Sequence, residues 1–456
     1  MTEHSADLVL LGGGSGGYAT ALRAAELGRS VVVVEKDKLG GTCLHRGCVP
    51  TKALLHAAEV MDHVRDAAAV GVNAAVEGVD VTRLTAYREG IVAKKYAGLT
   101  ALLTSRGITV VAGEGRLTAD GDVRVGDDLY RGTDVVLATG SAPRTIGAAP
   151  VGRRILTSEE ALTLDEVPAR VVILGGGVIG VEFASLWRSF GAEVTVVEAL
   201  DRLLPTEDDA VSKALARAFR KRGIASRLGA RVVTTEQSDD AVTVTLDDGS
   251  ALTADRLLVA VGRRPLTEGI GLDEAGVATE SGFVTTDADG RTTVPHVWAV
   301  GDIVPGLQLA HRAFQQGIRV AEVIAGQAGP AVAESTTPRV TYSRPEAASV
   351  GLTEAQAREA HGDRVSVYEY NLAGNAKSEI IGTAGMVKVV RETDGPILGV
   401  HLVGDRVGEL ITEGQLAVGW EAHPEDIAPF VHAHPTQSEA LGEAFLALAG
   451  KPLHAV

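Results

Sequence analysis

Hydrophobic positions along the chain form short aliphatic runs that are separated by stretches of helical spacing. Residues 8–11 and 31–34 are such runs, with an Ala-rich stretch between them, and residues 171–174 and 194–197 enclose a second stretch of the same kind. Aliphatic runs that alternate with helices predict buried parallel strands. We therefore expect an α/β chain with two βαβ units of Rossmann type.

Both predicted units carry the same fingerprint of three glycines and one acid. The residues are Gly12, Gly14, Gly17 and Glu35 in the first unit, and Gly175, Gly177, Gly180 and Glu198 in the second. Such glycines allow a tight turn, the approach of a pyrophosphate and close helix packing, and the acid accepts hydrogen bonds from ribose hydroxyls. The first glycine and the acid are 23 residues apart in both copies. Two dinucleotide sites are predicted; the alternative is that one copy is a structural relic.

The chain has two cysteines, Cys43 and Cys48, and both follow the first unit. In a regular helix residues five apart are separated by ~7.5 Å along the axis, whereas the Cα atoms of a disulfide are usually ~4.4–6.8 Å apart. We therefore expect the segment to bend, with Gly47 permitting the bend. A lone close pair in a cysteine-poor chain favours a redox-active disulfide over a structural one.

The position of the cysteines suggests which nucleotide each unit binds. A cofactor that stays bound and exchanges electrons with a disulfide is most naturally a flavin, so we assign FAD to the first unit and a nicotinamide to the second. Glu198 would accept from a free 2′-hydroxyl and repel a 2′-phosphate, which favours NAD over NADP. Arg202 is the nearest cation that argues the other way.

Further aliphatic runs predict the rest of the architecture. Three of them end in a glycine turn and lie at residues 135–140, 257–265 and 297–302. Asp302, at the end of the third, could accept from a flavin ribityl hydroxyl or simply cap a helix. After about residue 330 the pattern changes, because residues 387–390 and 397–403 read as antiparallel strands around an Asp-Gly turn. The C-terminal part is therefore predicted to be a separate α+β domain.

A second candidate for chemistry lies near the C-terminus, where His432 and His434 precede Glu439. Thiol–disulfide exchange needs a base that works near neutral pH, since the thiolate is the attacking species. Histidine meets that need, and Glu439 could orient its imidazole. The alternatives are a metal-binding pair, which would need a third ligand, or two ordinary loop histidines.

Charge and hydropathy exclude several classes of partner. The formal net charge is −16 and the sequence pI is about 5.3, whereas binding to nucleic acid or anionic membranes needs a basic face. The sequence contains no apolar run near the ~20 residues that span a bilayer, and its first residues lack the basic region of a signal peptide. We therefore expect no nucleic-acid or membrane partner and a cytoplasmic location.

Taken together, these residues resemble the flavoprotein disulfide reductases over essentially the whole chain. The resemblance is carried by both fingerprints and by residues 41–43, 47–52, 299–302, 344–354, 371–375 and 434–439. It implies an FAD-binding domain at residues 1–146, an NAD-binding domain at 147–266, a central domain at 267–334 that completes the FAD site, and an interface domain at 335–456. It also implies a homodimer. The closest likeness is to members that oxidise protein-bound dihydrolipoyl groups with NAD, whose partners are acyltransferases of 2-oxoacid dehydrogenase complexes and the carrier protein of glycine cleavage.

The resemblance also implies roles for single residues. Cys43 would exchange with the dithiol substrate, Cys48 would lie against the flavin as a thiolate, and His434 of the partner subunit would be the base, held by Glu439. Lys52 would lie near flavin N5 and pair with Glu182; the alternative is a solvated helix charge. The implied FAD contacts are Gly12, Gly14, Gly17, Glu35, Lys52, Gly115, Thr139, Gly140, Asp302, Leu309, Ala310 and His311. The implied NAD contacts are Gly175, Gly177, Gly180, Glu182, Glu198, Val232 and Gly262.

Two other functions remain open at the level of sequence. The residues between the cysteines, 44–47, depart from the Asn and small apolar residue more usual in the family, which leaves the thiol acceptor open. One alternative is an NAD(P)H-dependent reductase of another low-molecular-weight disulfide, of the mycothione type. A more remote one is a non-catalytic flavoprotein that serves as a scaffold or redox sensor.

Overall fold

The computed structural model describes residues 2–327 and 329–454. The chain divides into two units. Unit 1 comprises Met1–Leu54, Asp80–Arg144 and Arg263–Glu334, and unit 2 comprises Leu55–Val79, Thr145–Gly262 and Ser335–Val456. Within the described residues, no helix combines the length and the apolar character needed to cross a membrane.

The strands of the described part are, in chain order, β1 (Glu3–Leu11), β2 (Val31–Glu35), β3 (Thr109–Ala112), β4 (Gly115–Leu117), β5 (Val123–Val125), β6 (Asp128–Leu137), β7 (Ser141–Pro143), β8 (Ile155–Leu156), β9 (Arg170–Leu174), β10 (Glu193–Glu198), β11 (Ala225–Leu228), β12 (Val232–Gln237), β13 (Val242–Leu246), β14 (Ala251–Ala254), β15 (Arg256–Val259), β16 (Arg263–Pro265), β17 (Thr279–Glu280), β18 (Phe283–Val284), β19 (Val297–Ala299), β20 (Arg339–Thr341), β21 (Glu346–Gly351), β22 (Val365–Asn371), β23 (Met386–Glu392) and β24 (Ile397–Gly404).

The α-helices of the same part are α1 (Ser15–Glu26), α2 (Gly41–Arg46), α3 (Cys48–Asp66), α4 (Val81–Ser105), α5 (Ser158–Ala161), α6 (Val178–Ser189), α7 (Asp209–Lys221), α8 (Leu272–Ala275), α9 (Ala310–Ile324), α10 (Glu354–His361), α11 (Ala376–Ile381), α12 (Val407–Gly419), α13 (Pro424–Ile427) and α14 (Glu439–Leu448). Short 3₁₀ turns lie at Ala67–Val70, Gly301–Ile303, Glu334–Thr336 and Leu372–Gly374.

Unit 1 is built on one sheet with the strand order β3-β2-β1-β6-β5-β4, to which β19 adds beside β6. Strands β3, β2, β1, β6 and β19 are parallel. Leu8 and Leu10 face one apolar cluster while Val9 and Leu11 face another, so both faces of the sheet are buried. This arrangement confirms the predicted parallel strands. Strand β1 begins at Glu3, earlier than predicted, because its polar first residues pair with β6 where they stay exposed.

Unit 2 contains a parallel sheet and two antiparallel sheets. The parallel sheet has the order β11-β10-β9-β15-β8, and the C-terminal sheet has the order β20-β21-β24-β23-β22. The predicted antiparallel pair around the Asp-Gly turn is confirmed as β23 and β24, and the α/β and α+β fold classes are confirmed with it. The prediction of one continuous strand over residues 257–265 is wrong. Strand β15 ends at Val259, and Gly262, with φ +106°, turns the chain before β16 begins in unit 1.

Candidate active site

The first glycine loop connects β1 to α1 and leaves no room for side chains at two of its positions. Gly12 has φ +109°, and a Cβ atom there would lie 2.4 Å from the carbonyl oxygen of Ala138. A Cβ at Gly17 would lie 1.9 Å from the carbonyl oxygen of Gly12. Both substitutions would collide with backbone, so the turn and the close helix packing require glycine.

Gly14 differs, because its glycine keeps a space open instead of avoiding a clash. It is the N-cap of α1 with φ −73°, and the nearest atom to a Cβ placed there is Gly41 Cα, at 3.9 Å. Backbone N–H groups at a helix N-terminus attract anions. The opening at Gly14 therefore fits the pyrophosphate of FAD.

Glu35 ends β2 and is held by the backbone around it. Its Oε2 accepts from the Gly13 N–H at 2.7 Å, and its Oε1 accepts from the Asp37 N–H at 2.9 Å. Each carboxylate oxygen retains a further acceptor position. The side chain is thus fixed in place and can still receive ribose hydroxyls.

Other predicted FAD contacts lie in unit 1 at the carboxyl end of β6 and the start of α9. Thr139 donates to the Leu266 carbonyl at 2.7 Å, and Gly140 has φ +75°. Asp302 accepts from the Ser141 hydroxyl, while the N-cap of its 3₁₀ turn is Val300, so the helix-cap alternative for Asp302 is wrong. The remaining residues of this group are Gly115 at the start of β4, Leu309 as the N-cap of α9, and Ala310 and His311 in its first turn.

The second glycine loop, between β9 and α6 in unit 2, repeats the first almost atom for atom. Gly175 has φ +106°, and a Cβ there would lie 2.3 Å from the carbonyl oxygen of Ala260. A Cβ at Gly180 would lie 1.9 Å from the Gly175 oxygen, and a Cβ at Gly177 would meet no atom within 4 Å. The space above the N-terminus of α6 therefore fits the pyrophosphate of NAD.

The other predicted NAD residues also belong to unit 2. Glu198 is buried, and its Oε2 and Oε1 accept from the N–H groups of Gly176 and Leu200 at 2.5 and 2.8 Å. Glu182 is buried on α6 and accepts from a backbone N–H at 3.0 Å. Val232 begins β12, and Gly262 lies in an open turn after β15.

The cysteine segment of unit 1 bends where the sequence predicts. Helix α2 ends at Arg46, Gly47 breaks it, and α3 begins at Cys48. Both cysteines are thiols in this structure, so the disulfide stays a prediction. The Cys43 thiol is hydrogen-bonded to that of Cys48, and this bond together with burial raises the pKa of Cys43, while the charge of Lys52 opposes the rise. Two thiols in direct contact beside a cation are arranged for disulfide exchange.

Tyr18 is a member of this site that the sequence gave no reason to select. It lies on α1, and burial followed by the negative charge of Cys43 and Cys48 raises its pKa to about 12. Its ring packs against Phe314, with centroids 5.5 Å apart. A fingerprint identifies the glycines that open α1, and it is silent on which helix face the cysteines approach.

In unit 2 the predicted histidine and acid form a pair. Nδ1 of His434 lies 2.8 Å from Oε1 of Glu439, whose Oε2 accepts from the Thr436 N–H at 2.8 Å. Burial would raise the pKa of Glu439, but these two hydrogen bonds and the charge of the histidines hold it below its usual value. The carboxylate can therefore orient the imidazole, whose side chain is 73% exposed.

His432 forms its own pair with Glu413, at 2.8 Å between Nε2 and Oε1, and that hydrogen bond raises the pKa of His432. The sequence could not predict this partner, because Glu413 lies on α12, far from the motif. Within the described ranges, no group of three or more His, Cys, Asp or Glu is arranged to hold a metal ion. The two histidines thus bond different carboxylates.

Comparison with known proteins relates this geometry to a family. Residues 6–317 match the pyridine nucleotide-disulphide oxidoreductase family, and residues 337–445 match the dimerisation domain of the same family. Among solved structures, LpdA from Mycobacterium tuberculosis is 28% identical with a TM-score of 0.89, covering 98% of this chain and 100% of that one. The HOCl-induced flavoprotein disulfide reductase RclA from Escherichia coli is 27% identical with a TM-score of 0.87, covering 96% and 99%.

Curated relatives match the chain from end to end. A dihydrolipoyl dehydrogenase from Bacillus subtilis is 41% identical, covering 98% of this chain and 99% of the relative. The enzyme of that name from Chlorobaculum tepidum is 40% identical over 96% of both chains, and a mitochondrial one from Pisum sativum is 36% identical over 98% and 92%. With twin nucleotide loops, a cysteine pair and a histidine–glutamate pair in place, this chain belongs to the pyridine nucleotide-disulphide oxidoreductase family.

Proposed function

We propose that the protein is an NAD-dependent dihydrolipoyl dehydrogenase, which oxidises protein-bound dihydrolipoyl groups to lipoyl groups and forms NADH. The observation that carries the proposal is the contact between the thiols of Cys43 and Cys48 in the unit that also holds the first glycine loop. Relatives of this name match the chain over nearly its full length, which favours the dihydrolipoyl substrate over a mycothione-type disulfide.

The exchange steps follow from the two sulfurs. A dihydrolipoyl thiolate attacks Cys43 of the oxidised pair, and Cys48 leaves as a thiolate. The second dihydrolipoyl sulfur then attacks the mixed disulfide, which releases oxidised lipoyl and leaves the enzyme dithiol. Lys52 lies on the same helix as Cys48, and its positive charge favours the thiolate forms.

His434 is the base that removes the substrate proton. Its Nδ1 donates to Glu439, which leaves Nε2 as the acceptor, and its exposure gives a substrate access to it. We place His434 of the partner subunit against the cysteine pair, in a homodimer formed through the matched dimerisation domain. Glu439 fixes the imidazole and stabilises its protonated form after proton transfer.

FAD and NAD supply the two-electron chemistry between the dithiol and NADH. In this proposal FAD occupies the site of Gly12, Gly14, Gly17 and Glu35, and NAD occupies that of Gly175, Gly177, Gly180 and Glu198. The positions Lys52 and Glu182 complete the sets as predicted contacts. The four-domain division of the sequence, a cytoplasmic location and partnership with 2-oxoacid dehydrogenase complexes belong to the same proposal.

The first test is NADH formation by the FAD-loaded protein with dihydrolipoamide and NAD. Parallel reactions replace NAD by NADP, and dihydrolipoamide by a reduced low-molecular-weight monothiol. We expect NAD-linked turnover of dihydrolipoamide and much slower reactions in the other combinations. A protein with bound flavin that oxidised only the monothiol would contradict the proposed substrate.

A further inference from the structure

The segment that follows Glu198, residues 199–208, is fastened to the second glycine loop. The Leu204 N–H donates to the Gly176 carbonyl at 2.8 Å. Leu203 packs so closely that a Cβ at Gly176 would lie 2.8 Å from its Cδ2. Both leucines are buried, and Leu204 has φ +47°. The position of the Gly176 backbone therefore depends on this segment.

At its other end the same segment is fastened by a buried ion pair with β20. Arg339 contacts Glu207 through two atoms, with Nε 2.9 Å from Oε1 and Nη2 3.2 Å from Oε2. The two side chains are 16% and 5% exposed. A bidentate pair fixes direction as well as distance, so it holds the chain just before α7.

Asp208, the next residue, is the centre of a second buried cluster. It accepts from Nζ of Lys388 on β23 at 2.8 Å, from the Glu354 N–H at 2.9 Å, and from the Ala210 N–H at 2.9 Å as the N-cap of α7. Lys388 Nζ also lies 2.7 Å from Oε2 of Glu354. Burial would raise the pKa of Asp208, but the bonds from Lys388 and Glu354 hold it below its usual value, so the carboxylate stays charged.

Removing one member of a buried ion pair leaves an uncompensated charge, which must move towards water. If Lys388 is lost, Asp208 has to shift, and the segment 199–208 carries that shift to Leu204 and Gly176. A small displacement of backbone donors is enough to weaken binding of a pyrophosphate. The charge cluster and the glycine loop are thus connected through a short, buried segment at both of its ends.

We propose that Lys388 and Arg339 are positioning residues for NAD, acting through Asp208 and Glu207 on the second glycine loop. The inference rests on the proposed function where it names NAD as the ligand of that loop. It also gives a role to Glu354, which belongs to a segment that marks the family and has no part in the thiol chemistry.

The test compares Lys388→Met with the wild type as FAD-loaded full chains. The dissociation constant for NADH is measured by fluorescence without any thiol, and steady-state kinetics with dihydrolipoamide give kcat and both KM values. We expect the NADH dissociation constant and the KM for NAD to rise about 10-fold, which corresponds to about 1.4 kcal/mol. The kcat at saturating NAD and the KM for dihydrolipoamide stay within about twofold.

Arg391→Met is the matched control, because Arg391 lies on the same strand, is 4% exposed, and pairs with Glu425 on α13 at 2.8 Å. Both variants lose a buried cation, so both unfold at a lower temperature, and only Lys388→Met should weaken NADH binding. Equal weakening in both, or wild-type affinity in Lys388→Met, overturns the positioning role. A wild type that binds no NADH overturns the proposed function together with it. If Lys388→Met does not fold, Glu207→Gln provides the same comparison.

Discussion

The two nucleotide loops have one backbone plan in two different settings. The Cβ distances at the first and last glycines agree within 0.1 Å between Gly12 and Gly175 and are equal at Gly17 and Gly180. Both acids accept from a glycine N–H and from the second residue beyond themselves. The fingerprint therefore determines a local geometry, and it does not determine which nucleotide is bound or what chemistry follows.

The settings differ in what covers each loop. Gly41 and the cysteine helix follow the first loop closely, whereas the space above Gly177 is open to 4 Å. Glu35 is partly exposed and Glu198 is buried, with a segment behind it that is tied to buried charges. A covered site suits a nucleotide that stays bound, and an open one suits a nucleotide that enters and leaves. The residues after each fingerprint carry this difference.

The largest effect on the comparison should come from Cys48→Ser. Dihydrolipoamide-linked NADH formation should fall by at least about 10³-fold, because a serine hydroxyl cannot take part in exchange. NADH binding to the second loop should be unchanged when measured by fluorescence, and FAD should stay bound. A Cys48→Ser variant with normal turnover would remove the thiol chemistry from the first loop.

His434→Gln should lower thiol-linked turnover by about 10²–10⁴-fold, since the base is lost while both nucleotide loops stay intact. Reduction of ferricyanide by NADH, which needs no thiol base, should continue at nearly the wild-type rate. His432→Gln is the control from the same loop, because His432 bonds Glu413 and not Glu439. Equal losses in both assays would assign His434 a structural role.

Local patterns in the sequence were sufficient for features that neighbouring residues determine. The glycine loops, the bend at Gly47 and the pair of His434 with Glu439 all depend on residues a few positions apart, and the structure bears them out. Tyr18 beside the cysteines and Asp208 beside Lys388 depend on contacts between distant segments. Periodicity carries no information about such pairings, which is why the sequence could not supply them.

Gly14→Ala and Gly177→Ala test the open space directly. Both glycines have negative φ, and an added methyl group would meet no protein atom closer than 3.9 Å, so stability should hardly change. Displacing a bound pyrophosphate costs about 1–3 kcal/mol, or roughly 10–100-fold in affinity. Gly14→Ala should therefore lose FAD during purification, whereas Gly177→Ala should keep FAD and show a raised KM for NAD.

The opposite assignment of the nucleotides would reverse those two results. Flavin content per chain, read from the visible absorbance after gel filtration, and the KM for NAD are the two measurements. Gly17→Ala serves as the contrasting substitution, because its methyl group would meet the Gly12 carbonyl at 1.9 Å. It should lower the unfolding temperature, which the other two substitutions should leave near the wild-type value.

The smallest expected effect is that of Glu198→Gln beside Glu35→Gln. Glutamine keeps one acceptor oxygen and turns an NH₂ group towards a backbone N–H, so each variant loses one charge-assisted hydrogen bond. In Glu198→Gln the KM for NAD should rise about 3–10-fold and the preference for NAD over NADP should narrow, because the repulsion of a 2′-phosphate is removed. Glu35→Gln should leave both values unchanged, since its loop serves the nucleotide that stays bound. A change in the NAD–NADP preference caused by Glu35→Gln would mean that the two copies do not divide the nucleotides in this way.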